Sequence, residues 1–132
     1  MTFLGITAVE DALQWNASET IKRLKDSGLK IWIATGDKYE TTLGVVKACK
    51  LINASQVDNM AVLISEDVNV LRLGFEDAFS RLETQSNLEL LVLSGVSLTV
   101  IEADDELVGY MLQLIAVASS TIFVRMSPSQ KV

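Results

Sequence analysis

The 132-residue chain predicts an α/β fold built on a mostly parallel sheet. One sign is the unbroken apolar run at Ile31–Ala34 and again at Leu88–Leu93, since strands covered on both faces do not alternate. A second is that such runs are separated by stretches with helical spacing, the strand–helix–strand order of parallel sheets. A third is that polar clusters close three of the apolar runs: Glu10-Asp11, Thr35-Gly36-Asp37-Lys38, and Arg125 with Lys131. In a parallel sheet all three fall along one carboxyl edge, where open α/β folds bind ligands.

Taken in order, Phe3–Ala8 is short, apolar and β-leaning, which predicts a strand followed by a loop at Val9-Glu10-Asp11. Asn16 and Glu19 resemble a capping box, Ala17, Ile21 and Leu24 recur at helical spacing, and Gly28 supplies a stop. A helix is expected over 17–27. Ile31–Ala34 then reads as a strand, and Leu43, Val46 and Cys49 define one side of a helix over 39–50. Gln56–Asn69 has no decisive period, whereas Phe75, Phe79 and Leu82 share one face of a helix over 70–83. Leu88–Leu93 is a buried strand ended by Ser94-Gly95, and Ser97–Ile101 is ambiguous. Asp104-Asp105-Glu106 reads as the acidic first turn of a helix ending near Ala118, Thr121–Val124 as a strand, and Pro128 as the first turn of a further helix.

Composition removes several classes of function. A net charge of −6 leaves no basic stripe for a nucleic-acid backbone. The absence of histidine excludes His-ligated zinc, His general bases and Ser-His-Asp triads. Any metal would be a hard cation on oxygen ligands, which suits Mg²⁺. The single Cys49 cannot form an internal disulfide, so a cytosolic setting is expected, and its neighbours make it a packing residue rather than a nucleophile. Leu107–Val124 contains no charge and is long enough to span a bilayer, but Gly109, Gln113 and Ser119-Ser120-Thr121 interrupt it. A buried helix followed by a buried strand is the expected outcome.

The carboxyl-edge clusters suggest phosphate chemistry. Thr35 can donate to a phosphoryl oxygen at the turn that follows its strand, and Arg125 and Lys131 can neutralise the charge. Each residue also has a plainer reading: Asp37 as a helix cap, Asp11 as a turn residue, Lys131 as a solvated lysine. Asp104-Asp105-Glu106 is read as a helix-dipole cluster rather than a metal site.

Three blocks then carry a family likeness. Phe3-Leu4-Gly5-Ile6-Thr7-Ala8-Val9-Glu10-Asp11-Ala12-Leu13-Gln14 resembles the L-G-x-T-A-[IV]-E-D-x-L-Q segment of lipid-flipping P-type ATPases, the P4 group. Lys30–Lys38 with Glu40-Thr41 resembles the K-[IV]-W-x-x-T-G-D-K-x-E-T block of that group, and Arg125–Lys131 its R-[VM]-S-P-x-Q-K block. Leu91–Gly95 with Ser97-Leu98 resembles a weaker block in which Asp is commoner than Ser94.

The resemblance implies a three-layer, Rossmann-like phosphorylation domain of haloacid-dehalogenase type, incomplete in this chain. It implies ATP and Mg²⁺ as cofactors of the full-length protein, with Thr35 as phosphate-binding threonine and Lys131 as the lysine that stabilises an aspartyl phosphate. Gly36 and Asp37 would shape the nucleotide side, while Asp11 and Arg125 would stand near the hinge and ATP. No residue here is expected to ligate metal. The chain would be a cytosolic part of an integral membrane protein, working with nucleotide-binding, actuator and transmembrane domains of the same polypeptide, a phospholipid substrate and an accessory β subunit.

Two family motifs, D-K-T-G-T and T-G-D-G-x-N-D, do not occur in the chain. The nucleophile and main Mg²⁺ carboxylates are therefore expected outside it, and the isolated chain is expected to be inactive. Both motifs ride on central strands in the family, so Ile31–Ala34 is expected to present an open apolar edge that favours self-association. Two other readings stay open: a stand-alone, non-catalytic α/β binding module of the same fold, and a fragment of a soluble phosphatase of the wider superfamily.

Overall fold

A computed structural model describes residues 4–8, 12–84 and 87–131. Helix α1 (Ala17–Asp26) leads to strand β1 (Ile31–Ala34), helix α2 (Tyr39–Ala48), a 3₁₀ turn (Ala54–Asn59) and strand β2 (Met60–Leu63). Helix α3 (Val68–Thr84), strand β3 (Leu88–Ser94), helices α4 (Gly95–Glu102) and α5 (Asp105–Val117), strand β4 (Ala118–Val124) and a 3₁₀ turn (Pro128–Lys131) complete the order. The four strands are all parallel, in the order β1-β4-β3-β2.

Two apolar clusters occupy the two faces of this sheet. On one, Leu71, Phe75 and Ala78 of α3, Leu98 and Ile101 of α4, and Leu107 and Leu114 of α5 pack on Leu91 and Leu93. On the other, Val46 of α2 and Ile21 of α1 meet Leu90, Val92, Ile122 and Val124. The result is a three-layer, Rossmann-like α/β domain. Every residue of β3 is buried, which explains its unbroken apolar sequence.

The N-terminal strand expected over Phe3–Ala8 does not form at residues 4–8, which lie outside any strand, with Leu4 and Ile6 almost fully exposed. An apolar, β-leaning segment needs a neighbour to pair with, and none is in place there. The Asn16–Glu19 capping box is likewise absent: Asn16 sits at a left-handed φ of 64° with no side-chain cap bond, and Glu19 bonds Arg23 instead. The helix stop is as expected. Gly28 adopts φ 79°, and Leu29 N–H bonds Leu24 C=O to close the end of α1.

β1 is covered on one face only. Ile31 and Ile33 pack into the core while Trp32 is 58% exposed, touching Phe123 at a ring-centroid distance of 5.9 Å. β2 was hidden in the stretch without decisive period, where a four-residue strand at the sheet's far edge follows a 3₁₀ turn. Leu107–Val124 divides into α5 and β4, and among the described residues no helix is long and apolar enough to cross a membrane.

Candidate functional site at the carboxyl edge

β1 ends at Ala34, but its hydrogen bonding to the neighbouring chain continues. Thr35 N–H bonds Phe123 C=O at 2.9 Å, Met126 N–H bonds Thr35 C=O at 2.9 Å, and Arg125 N–H bonds Asp37 C=O at 2.9 Å. The Thr35-Gly36-Asp37 turn is thereby stitched to the segment leaving β4. Arg125 adopts φ 50° there, a left-handed conformation costly for a side chain bearing a Cβ.

Within the turn, Thr35 Oγ1 donates to Asp37 Oδ2 at 2.8 Å and accepts from Asp37 N–H at 3.1 Å. Asp37 is therefore not the helix cap weighed from sequence. Lys38 occupies the N-cap of α2 and makes no side-chain cap bond. The turn is exposed except for half-buried Thr35.

Lys131 closes the 3₁₀ turn that begins at Pro128 and reaches back to the same place. A Cβ placed on Gly36 would lie 3.9 Å from Lys131 Nζ and 3.7 Å from Met126 C=O. Gly36 and Lys131, 95 positions apart in sequence, thus share one surface with the Thr35 hydroxyl and the Asp37 carboxylate.

Arg125 belongs to a neighbouring feature. With Tyr39, Glu40, Ser65, Glu66 and Ser94 it lines a cavity of about 440 Å³ at the strand ends, and neither Thr35 nor Lys131 lines it. The expected residues therefore form a turn-and-lysine pair beside an arginine-lined cavity. Asp11 lies outside the described residues.

The sequence reading gave no role to several residues of this edge. Ser97 Oγ donates to Ser65 C=O at 3.1 Å and accepts from Ser65 N–H at 3.0 Å, and it lies 2.7 Å from Ser94 Oγ, tying β3's end to the segment after β2. Gln130 bridges to Gly95. Gln130 carried a signal, since it stands inside the third block; Ser65 carried none, because its partner is 32 positions away.

Charge elsewhere is structural. Asp104 caps α5 by accepting from Glu106 and Leu107 N–H, and Arg72 of α3 bonds both Asp104, at 2.5 Å, and Glu106. Arg72 and the Tyr110 hydroxyl hold the Glu106 carboxyl below its ordinary value. Burial pushes Asp104 upward, but the Leu107 N–H, Arg72 and the Glu106 N–H outweigh it and leave it lowered. Burial pushes the Cys49 thiol up, so it stays protonated packing. Among the described residues no three carboxylate or thiol groups converge as a metal site.

Fold and edge together define a Rossmann-like α/β unit that gathers a hydroxyl, an ammonium and a guanidinium at its strand ends. No protein-family model matches the chain. It is 31% identical over 133 residues to the probable phospholipid-transporting ATPase DNF3 of Saccharomyces cerevisiae, covering 99% of the chain and 8% of the yeast protein. It is 33% identical over 153 residues to phospholipid-transporting ATPase IH of Mus musculus, covering 99% and 13%. To phospholipid-transporting ATPase DRS2 of Saccharomyces cerevisiae it is 31% identical over 150 residues, covering 99% and 10%. The chain belongs to the P4-type phospholipid-transporting ATPases and spans about a tenth of the length of these relatives.

Proposed function

We propose that the chain is a segment of the phosphorylation domain of an ATP-driven, phospholipid-translocating P-type ATPase, on the cytosolic side of the membrane. In this reading residues 1–132 are a partial phosphorylation domain and supply the phosphate-stabilising half of a haloacid-dehalogenase-type site. The observation that carries it is the approach of Lys131 Nζ to the Thr35-Gly36-Asp37 turn, which rests on the hydrogen bonds between that turn and the β4 exit.

The chemistry follows from the groups present. A phosphoryl group carried by a carboxylate outside this chain would meet the Lys131 ammonium, and its charge would be stabilised by a group already oriented. The Thr35 hydroxyl would turn from Asp37 to the phosphoryl oxygen, exchanging one acceptor for another. Asp37 and Gly36 would border the nucleotide side, and Arg125, with Asp11, would stand on the side of the hinge and ATP. Mg²⁺ supplies charge neutralisation of a transferring phosphoryl group when bound. Among the described residues no three carboxylates converge at this edge, so Asp37 does not make an Mg²⁺ site with its neighbours and no step of the reaction runs through the ion.

The isolated chain, lacking the nucleophile, is expected to hydrolyse no ATP. Its partners in this reading are the nucleotide-binding, actuator and transmembrane parts of the same polypeptide, with the phospholipid and an accessory β subunit belonging to the whole protein. A stand-alone binding module is the other reading, and the mutual satisfaction of Thr35 and Asp37 favours it, because such a turn needs no ligand. The test is twofold. The parent gene should encode D-K-T-G-T before this segment and T-G-D-G-x-N-D after it. In that full-length ATPase, Thr35→Ala and Lys131→Ala should each lower phosphoenzyme level or turnover on the order of tenfold or more. Normal phosphoenzyme and turnover in both variants would remove the assigned roles.

A further inference from the structure

We infer that Gln130 is a positioning residue whose side-chain amide, seated against Gly95, holds Lys131 over the Thr35-Gly36-Asp37 turn. The inference rests on the reading of Lys131 given above and adds what keeps that lysine in place.

Lys131 is exposed, and the rotamer entropy of a lysine side chain opposes any single placement. Its backbone therefore has to be held firmly. The hold comes from the residue before it. Gln130 Nε2 donates to Gly95 C=O at 2.7 Å and to Thr99 Oγ1 at 3.3 Å, while Oε1 accepts from Ser127 N–H at 3.0 Å. One amide thus closes its own turn and anchors that turn to the first residue of α4, 35 positions away.

The orientation of the amide is determined by its partners. A carbonyl can only accept and a backbone N–H can only donate, so the flipped amide would meet both with the wrong group. Gly95 is the matching half of the seat. A Cβ there would stand 2.6 Å from Gln130 Oε1 and 2.6 Å from Arg125 C=O, closer than real contacts allow. Only a residue without a side chain lets the Gln130 amide and the left-handed Arg125 peptide approach α4 together.

Movement of this turn moves Lys131 relative to Gly36, and misplacement of a catalytic group by about 1 Å costs on the order of 10²-fold. The experiment is a double-mutant cycle in the full-length ATPase, read by inhibition with orthovanadate, an oxyanion that mimics a transferring phosphoryl group. Gln130→Ala is expected to weaken vanadate inhibition on the order of tenfold with the KM for ATP unchanged, and Lys131→Ala to weaken it at least as far. In the Lys131→Ala background the Gln130 substitution should have no further effect. Gly95→Ala displaces the same turn by a second route and should weaken vanadate inhibition as well, its added clash with the Arg125 C=O being read separately in the KM for ATP.

Independent multiplication of the two effects, or normal vanadate inhibition in Gln130→Ala beside an impaired Lys131→Ala, would overturn the inference and leave the reading of Lys131 standing. Normal inhibition in Lys131→Ala overturns that reading, and the inference with it. Should full-length Gln130→Ala fail to assemble, Gln130→Glu takes its place: it keeps an acceptor for the Ser127 N–H but loses the donor to Gly95 C=O, and it is expected to weaken vanadate inhibition in the same direction. Normal vanadate inhibition in that variant would refute the positioning role.

Discussion

Thr35, Lys131 and Thr121 show how differently single residues hold their place. Thr35 and Lys131 were readable because each stands in a short block that resembles one of the family, and the approach of Lys131 to the Thr35-Gly36-Asp37 turn became visible only when β1 and β4 paired. Thr121, on buried β4, has a hydroxyl with no hydrogen-bond partner among the described residues, as does neighbouring Ser120. An unpartnered buried hydroxyl costs about 1–3 kcal/mol. Thr121→Val should therefore stabilise the chain by about 1 kcal/mol, seen as a Tm increase of a few degrees in thermal unfolding. A lowered Tm would mean that the hydroxyl has a partner after all. At Phe75, fully buried on the core face of α3, truncation to Ala leaves a cavity and should cost about 3–5 kcal/mol in urea unfolding.

Among the elements, the α3–α5 contact is fastened by charge as well as by apolar packing. Arg72 joins Asp104 and Glu106, and both carboxyls titrate below their ordinary values in the folded chain. A lowered folded-state value means the native state holds its proton less tightly than the unfolded state does. The resulting stability is fully present above the ordinary carboxylate range of about 4 and is lost as pH falls through the lowered values. Arg72→Leu should be less stable than the parent chain at neutral pH, and the gap in urea midpoint should narrow as pH drops below that range. A gap independent of pH would assign Arg72 a packing role alone. The helices α2, α3 and α5 were legible from spacing, since their apolar stripes follow a 3.6-residue period. β2 was not, because four residues beside a 3₁₀ turn carry too little pattern to separate strand from loop.

For the whole molecule, the sheet order leaves β1 at an edge with its apolar run half covered. Among the described residues nothing pairs with its outer side. Such an edge templates another strand, although a net charge of −6 opposes close approach of two copies. Sedimentation of the isolated chain should therefore show association that rises with salt, and Trp32→Glu on the exposed face should reduce it. A monomer at all concentrations and salt levels would show that the edge is protected.

The sequence by itself determined the α/β class, the parallel arrangement, the kinship with phospholipid-transporting ATPases and the residues of the strand-end turn. These depend on local periodicity and short contiguous blocks. Only the tertiary structure decided that the segment at residues 4–8 stays outside the sheet, that Arg125 serves a cavity separate from the Thr35 turn, and that Gln130 and Gly95 lock together. Those outcomes depend on which strands find neighbours and on hydrogen bonds between residues tens of positions apart, and no local pattern encodes them.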